Sequence, residues 1–369
     1  MGQIVAKYEA GNVEGNMKRK ILEIGGYPPP RTGWAMRIYF LKREMDRMGI
    51  DCKILHVGKN RKVPNPNYIN TYNGLDMVAK MFWYSLKRYR VHSHVNGDSP
   101  KGFVITFLGL FLNWILGNKP ILTFHAGPVQ LYFPKFRAPY LTPYYKLIFA
   151  LSHKIICNNE PVKQNIMSYG VPAEKIHTIP AFSVQYLEFE EKPLPPEIDQ
   201  IFSQHHPVIA TYVYFRPEFF NEFMIDAMAE LIKIYPDAQL IVMGGETGYE
   251  PIQQRAIDKG IGEHVHFVGD QDHDHFLTIL RKSVFYLRTP VKDGVSTSVL
   301  EALYWGVPVV AAENGTRPEG VITYENKNIP DMVEKMKYVI EHAEEVRKNL
   351  VRPHVDDTLS KEIKLLTES

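Results

Sequence analysis

The stretch Ile21-Leu-Glu-Ile24-Gly25-Gly-Tyr-Pro-Pro-Pro-Arg-Thr-Gly33-Trp34 decides the class of fold. Its first four residues are a short apolar run. The next nine are a loop, because Gly25, Gly26, Pro28, Pro29, Pro30 and Gly33 punctuate the chain. From Trp34 onward apolar residues fall at 34, 38, 41, 45 and 48. Those steps of four and three place them on one face of a helix. Gly49 ends that helix, and 52–57 reads as a second strand. Strand, helix and strand in this order form a βαβ unit, whose two strands run parallel.

Strand-like runs recur at 91–94, 121–124 and 154–158, with helical patterns between some of them. From Tyr186 to His206 the alternation stops. Acidic residues with Pro193, Pro195 and Pro196 take over, as in an interdomain linker that holds at most a short helix. A second series follows, with strands expected at 208–213, 239–243, 265–268, 284–287 and 307–312. Helices are expected near 219–234, 251–259, 274–282 and 297–305. This is an α/β fold of two parallel-sheet domains, 17–185 and 207–350, facing across a cleft and joined by 186–206. Residues 1–16 read as a disordered extension, and 351–369 as a helical tail that packs back on the first domain.

The 369 residues are 45% hydrophobic and 23% charged. That excludes disordered, collagenous and disulfide-scaffold classes. Cys52 and Cys157 each stand alone in an apolar stretch, without metal-ligand spacing, as in a reducing compartment. No signal-peptide pattern opens the chain. The most membrane-like stretch, 102–117, carries Thr106 and Asn113 and is shorter than the ~20 residues needed to span. A buried helix is expected there. Charge is divided unevenly: residues 1–185 hold 25 Lys and Arg against 10 Asp and Glu, a net +15, and the rest of the chain carries −13. A basic half suits phosphate-rich partners such as an anionic lipid surface.

The segment richest in chemistry is Tyr286-Leu-Arg-Thr-Pro-Val-Lys-Asp293-Gly294-Val-Ser-Thr-Ser-Val-Leu-Glu301-Ala-Leu-Tyr-Trp-Gly306-Val-Pro308-Val-Val310. A strand ends near Leu287, a loop carries Asp293 and Gly294, and a helix opens near Ser296. Unpaired N–H groups at a helix opening, together with its dipole, hold phosphate. Two acids eight residues apart, Asp293 and Glu301, can accept hydrogen bonds from sugar hydroxyls on either side of that phosphate. Two plainer readings stay open: Ser298-x-x-Glu301 fits a capping box, and Asp293-Gly294 an ordinary turn.

The segment resembles the signature of the retaining glycosyltransferases of family 4, which have the GT-B fold of two Rossmann-like domains. Their pattern is an acid, seven residues, Glu, then Ala-x-x-x-Gly-x-Pro-Val-Val; here Asp293 replaces the usual first Glu. The resemblance covers roughly residues 20–325. It implies that Asp293 holds the donor sugar, Glu301 the ribose, and Gly294, Val295, Ser296 and Thr297 the diphosphate. Gly33, in the first loop, would let a phosphate approach a helix N-terminus. His125, in Ile121-Leu-Thr-Phe-His125-Ala-Gly127, would face the donor sugar, unless it only caps its strand. Gly245 and Glu246 would frame the base. The Arg and Lys that the family places after the first strand of its second domain are replaced by Tyr214 and Phe219. Arg216 is expected to supply one charge from a shifted position, and Lys292 or Arg317 another.

The implied reaction moves a sugar from a nucleotide diphosphate donor to a hydroxyl of a glycan or lipid-linked acceptor in cell-surface polysaccharide or glycolipid synthesis. It needs no cofactor and no metal. The competing signal is Asp270-Gln-Asp272-His-Asp274-His275, either an exposed acidic loop or a Mn²⁺ site. The expected place is the cytoplasm, free or held on the inner face of a membrane. No nucleic-acid recognition motif is found. A non-catalytic binding subunit and an epimerase of the same fold remain alternatives.

Overall fold

A computed structural model describes residues 20–125, 127, 129–245, 248–291 and 296–368. Strands β1 (Lys20–Gly25), β2 (Cys52–His56), β3 (Tyr89–Val95), β4 (Ile121–Phe124), β5 (Lys154–Cys157) and β6 (Ile176–Thr178) form one sheet. Strands β7 (Val208–Tyr212), β8 (Gln239–Met243), β9 (Val265–Gly269), β10 (Phe285–Arg288), β11 (Val309–Ala312) and β12 (Val321–Tyr324) form another. Helices α1 (Gly33–Arg47), α2 (Gly74–Leu86), α3 (Pro100–Ile115), α4 (Thr142–Leu151) and α5 (Glu160–Met167) belong to the first series. The second holds α6 (Pro196–Gln204), α7 (Asn221–Ile234), α8 (Glu250–Asp258), α9 (His273–Lys282) and α10 (Thr297–Tyr304), then α11 (Ile329–Glu341), α12 (Ala343–Asn349) and α13 (Thr358–Thr367).

The strand orders locate the ligand-binding edge. The first sheet runs β2-β1-β3-β4-β5-β6 and the second β12-β11-β10-β7-β8-β9, all pairs parallel. In each, the order reverses direction at one point: between β1 and β3, and between β7 and β10. Parallel α/β sheets bind ligands at such a reversal, outside the carboxyl ends of the strands. The loops after β1 and β10 therefore face the cleft. The first is the Gly/Pro loop; of the second, residues 292–295 lie outside the described residues.

Several elements differ from the expectation. The short edge strands β6 and β12 lie outside the expected set; Ile176 and Tyr324 are their only buried residues. Residues 186–206 are more than a linker, because Ile198 and Ile201 of α6 are buried in the second core. The apolar stretch 102–117 is not a buried helix. Only Phe103, Thr106, Gly109, Leu110 and Asn113 of α3 are buried, while Val104, Phe111, Trp114 and Ile115 are exposed. Its polar residue is structural: the Asn113 amide accepts from Val91 N–H and donates to Ser85 Oγ and the Tyr89 carbonyl.

Helix α13 returns the chain to the first sheet. Leu359, Ile363 and Leu366 pack with Ile21, Phe40 and Tyr186. Arg90 donates to the carbonyls of Leu366 and Glu368, holding the negative end of the α13 dipole. The contact is centred on a buried ion pair. Nε and Nη2 of Arg37, on α1, each lie 2.8 Å from Oε2 of Glu362, and Nη1 donates to Asn158. Both side chains are nearly inaccessible. Removing one partner strands the other in a low dielectric, a loss of about 3–5 kcal/mol. Glu362→Ala is accordingly expected to lower unfolding free energy by that amount in urea titrations, whereas Lys361→Ala, on the exposed side of α13, is expected to change it by under about 0.5 kcal/mol.

Candidate active site

A cavity of about 320 Å³ lies in the cleft, walled on one side by the start of α1 and on the other by the start of α10. Thr32 caps α1, its hydroxyl accepting from Ala35 N–H. Gly33 opens the helix, and no atom lies within 4 Å of where a Cβ would project. Across the gap Ser296 is the N-cap residue of α10 without a side-chain capping bond, and Ser296, Thr297 and Ser298 line the cavity. Two helix openings thus face the same space, an arrangement that favours an anion. The floor is aromatic, from Tyr212, Tyr214, Phe219 and Phe276.

Glu301, one turn into α10, is only 2% exposed. The capping-box reading fails. Ser298 lies inside the helix, where its hydroxyl bonds Tyr286 and Ser296, and the N-cap is Ser296. Burial raises the Glu301 carboxyl to about pH 7, moderated by Arg31. Arg31 Nη2 stands 4.0 Å from Glu301 Oε1 and donates to His273 Nδ1 at 2.9 Å. The guanidinium lies 4.4 Å over the Phe276 ring. His273 Nε2–H donates to the Tyr186 carbonyl, which leaves Nδ1 as an acceptor. Burial and then Arg31 push its pKa down to about 3, so the ring is neutral.

At the end of β4, His125 Nε2 is 2.7 Å from His94 Nδ1. His94 Nε2 is 2.7 Å from Glu23 Oε2, and His92 Nδ1 is 3.0 Å from Glu23 Oε1. Burial lowers the pKa of all three histidines and raises that of Glu23. With neutral rings and Glu23 in its ionised form, the carboxylate only accepts, and that form fixes every tautomer. His94 donates from Nε2 to Glu23, so its Nδ1 accepts from His125 Nε2–H, and His125 keeps its lone pair on Nδ1. His92 Nε2 accepts from the Thr123 hydroxyl. Among the described residues, Glu23, His92 and His94 are also near enough to one another to hold a metal ion. At 2.7–3.0 Å their contacts are hydrogen bonds.

The predicted residues separate into groups. Gly33, Ser296, Thr297 and Glu301 meet at the cavity. His125 and Gly245 are not among its lining residues. Arg216 is not either: it is 60% exposed, 3.9 Å from Glu218, and 5.6 Å over the Tyr214 ring. Asp293, Gly294, Val295 and Glu246 lie outside the described residues, as does Lys292. Arg317 donates to the carbonyls of Ala312 and Pro290. The acids of the 270–275 segment are held by protein contacts, and Lys192 reaches both Asp272 (3.9 Å) and Asp274 (2.9 Å). Asp270 accepts from Tyr212 Oη–H, Asp272 caps α9, and Asp274 pairs with Lys192. Sequence reading passed over Arg31, His273 and Arg288. Arg31 is the only charge in the 25–33 loop, a signal that was available. His273 was hidden in a run of acids.

The raised pKa of Glu301 has a stability consequence. Between its ordinary value of 4.5 and about 7 the unfolded chain releases this proton and the folded chain keeps it. Stability from this group therefore falls as pH rises through that window, by about 3 kcal/mol in total. Glu301→Gln is expected to gain that much relative to the parent between pH 4.5 and 7.5, measured as the difference of urea unfolding free energies. An unchanged difference would refute the burial of an ionisable acid there.

Comparison with known proteins agrees with this geometry. Residues 32–182 match the family described as Glycosyltransferase Family 4, and 204–365 match Glycosyl transferases group 1. One relative, the GDP-mannose-dependent alpha-(1-6)-phosphatidylinositol monomannoside mannosyltransferase of Mycolicibacterium smegmatis, is 30% identical over 132 residues, 34% of this chain and 35% of that protein. The GDP-mannose-dependent monoacylated alpha-(1-6)-phosphatidylinositol monomannoside mannosyltransferase of Corynebacterium glutamicum is 28% identical over 127 residues, 32% of this chain and 33% of that one. The chain thus matches about a third of the length of these curated relatives. Two solved structures share the fold over nearly the whole chain. Anabaena HepE in complex with UDP has a TM-score of 0.58 at 14% identity, covering 95% of this chain and 96% of its own. A putative UDP-N-acetylglucosamine 2-epimerase from Listeria monocytogenes has 0.63 at 14% identity, covering 94% and 95%. With one family matched in each half and both sheets arranged around one cleft, the chain belongs to the group 1, family 4 glycosyltransferases of the GT-B fold.

Proposed function

We propose that the protein transfers a hexosyl group, with retention, from a nucleoside diphosphate sugar to a hydroxyl of a lipid-linked acceptor. The observation that carries this reading is the buried Glu301 beside two converging helix openings. An acceptor for sugar hydroxyls and a cradle for an anion share one 320 Å³ cavity. In this reading Glu301 receives the ribose hydroxyls, and the Ser296 and Thr297 end of α10 receives the diphosphate. Asp293 and His125 hold the sugar ring, and Gly245 and Glu246 border the base. The acceptor attacks the face that the diphosphate leaves, and a diphosphate oxygen takes the proton. Catalysis then comes from orientation and from fixed dipoles that stabilise leaving-group charge, without a metal.

The acceptor side is supported by the surface of the first half. Phe82, Trp83 and Leu86 of α2 and Phe111, Trp114 and Ile115 of α3 are exposed on two helices that pack together. Lys87 lies 4.4 Å over the Trp83 ring, and Arg88 holds the Leu116 carbonyl at the same end. Aromatic and basic residues side by side suit the interface of an anionic leaflet. No helix among the described residues is long and apolar enough to cross a membrane. The relatives named above act, by their names, on phosphatidylinositol mannosides.

The test of donor use is incubation with GDP-mannose, UDP-glucose and UDP-N-acetylglucosamine, with and without membrane lipid extract. One donor is expected to raise the melting temperature and to yield a glycolipid whose new anomeric centre, read by NMR, keeps the donor's configuration. Activity is expected to survive EDTA. An epimerised donor, with no glycosylated product, would refute transfer. For the membrane surface, sedimentation with vesicles should show binding to anionic but not neutral lipid, weakening as salt shortens the screening length toward ~3 Å at 1 M. Trp83→Ser with Trp114→Ser should weaken it further, and equal absence of binding to both vesicles would remove the membrane from the proposal.

A further inference from the structure

We infer that Arg31 is a ligand for the donor diphosphate, contributed across the cleft by the first half of the chain. The inference rests on the donor reading above and adds the source of the cation. A diphosphate between two helix openings needs positive charge beyond the dipoles. Arg216, the expected source, points to solvent beside Glu218. Among the described residues, the cationic side chains that line the cavity are Arg31 and Arg288.

Arg31 is held in a particular way. Its side chain is about nine-tenths buried. Nη2 is fixed by the neutral His273, and the guanidinium plane lies over Phe276. Nη1 is buried and has no hydrogen-bond partner among the described residues. Leaving such a donor unmet is costly, and an anionic oxygen is the partner that relieves it most. Arg31 lines both this cavity and a neighbouring one of about 310 Å³. Glu301, 4.0 Å away, fixes the rest of the geometry. A ribose on the carboxylate places the attached phosphates within reach of the guanidinium, so the hydroxyls meet an acceptor and the phosphates a cation. Arg288, with Nη1 on the Tyr212 carbonyl, supplies a second buried cation from the other wall.

Because Arg31 lies in the first series of elements and Ser296 and Glu301 in the second, a bound diphosphate bridges the two. A role in clamping the halves together without touching ligand would use the same contacts to His273 and Glu301. Binding measurements separate the two roles. UDP and GDP are titrated by calorimetry into the full chain, and uridine and guanosine are followed by ligand-detected NMR. For whichever nucleotide binds, Arg31→Gln is expected to weaken the diphosphate about thirtyfold and the nucleoside less than threefold, as loss of a buried charge-assisted bond predicts. Arg31→Lys, which keeps charge but not the fork, should give a smaller loss with the same selectivity, and serves if Arg31→Gln does not fold. Equal losses for diphosphate and nucleoside would overturn the inference in favour of a clamp. A diphosphate-selective loss in Arg216→Gln but not in the Arg31 variants would overturn it in favour of the rim arginine. A parent protein that binds neither UDP nor GDP would instead refute the donor reading, and the inference with it.

Discussion

Every strand of a parallel sheet ends at the same edge, and that constraint organises this protein. Loops that follow strands collect there, and the order reversals at β1/β3 and β7/β10 open a crevice at each sheet. With two such edges turned to one cleft, residues 264 positions apart, Thr32 and Ser296, come to line one cavity. The fit requires close approach at the strand ends. At Gly244, φ is +101° and a Cβ would lie 2.2 Å from the Val213 carbonyl oxygen, so the backbone after β8 can turn against β7 only with glycine.

Charge burial then divides the labour between the halves. Glu23 and Glu301 are both buried carboxylates, but they are relieved differently. Glu23 sits in the first core and satisfies both oxygens on His92 and His94, a closed network that orients His125. Among the described residues Glu301 has no hydrogen bond of that kind, only Arg31 and His273 at about 4 Å. A network that is complete without ligand is a scaffold, whereas a buried acid held near a guanidinium at that distance keeps acceptor capacity for something else. The same logic separates Arg37, bound by Glu362 and Asn158, from Arg31, whose Nη1 is unmet among the described residues.

The surface of α3 illustrates how composition misleads. Its residues are apolar nearly all round, which is the usual mark of a buried helix. Yet Gly109 sits against Ile24 and Asn113 ties α2 to β3, so one face alone meets the sheet. The opposite face stays in the open because no further layer among the described residues covers it.

Local pattern was enough for much of the architecture. The βαβ order, the helical face from Trp34 and the strand–loop–helix around 286–301 depend on residue spacing that any chain segment carries within itself. Family resemblance pointed to Glu301, Ser296, Thr297 and Gly33 for the same reason: short motifs preserve spacing. The strands β6 and β12 escaped because each is a short edge strand with a single buried residue, unlike the similarly short β4 and β10, which are buried throughout. Arg31, His273 and Arg288 escaped for a different reason. Their meaning arises only when segments 31, 273, 288 and 301 are brought together, and no local pattern encodes that distance. The sequence by itself determined the elements and the chemistry available to them. The tertiary structure decided which arginine faces the cavity, which acids merely cap helices or pair with lysine, and which apolar helix face meets solvent, because burial and proximity are properties of the packed chain and not of any stretch of it.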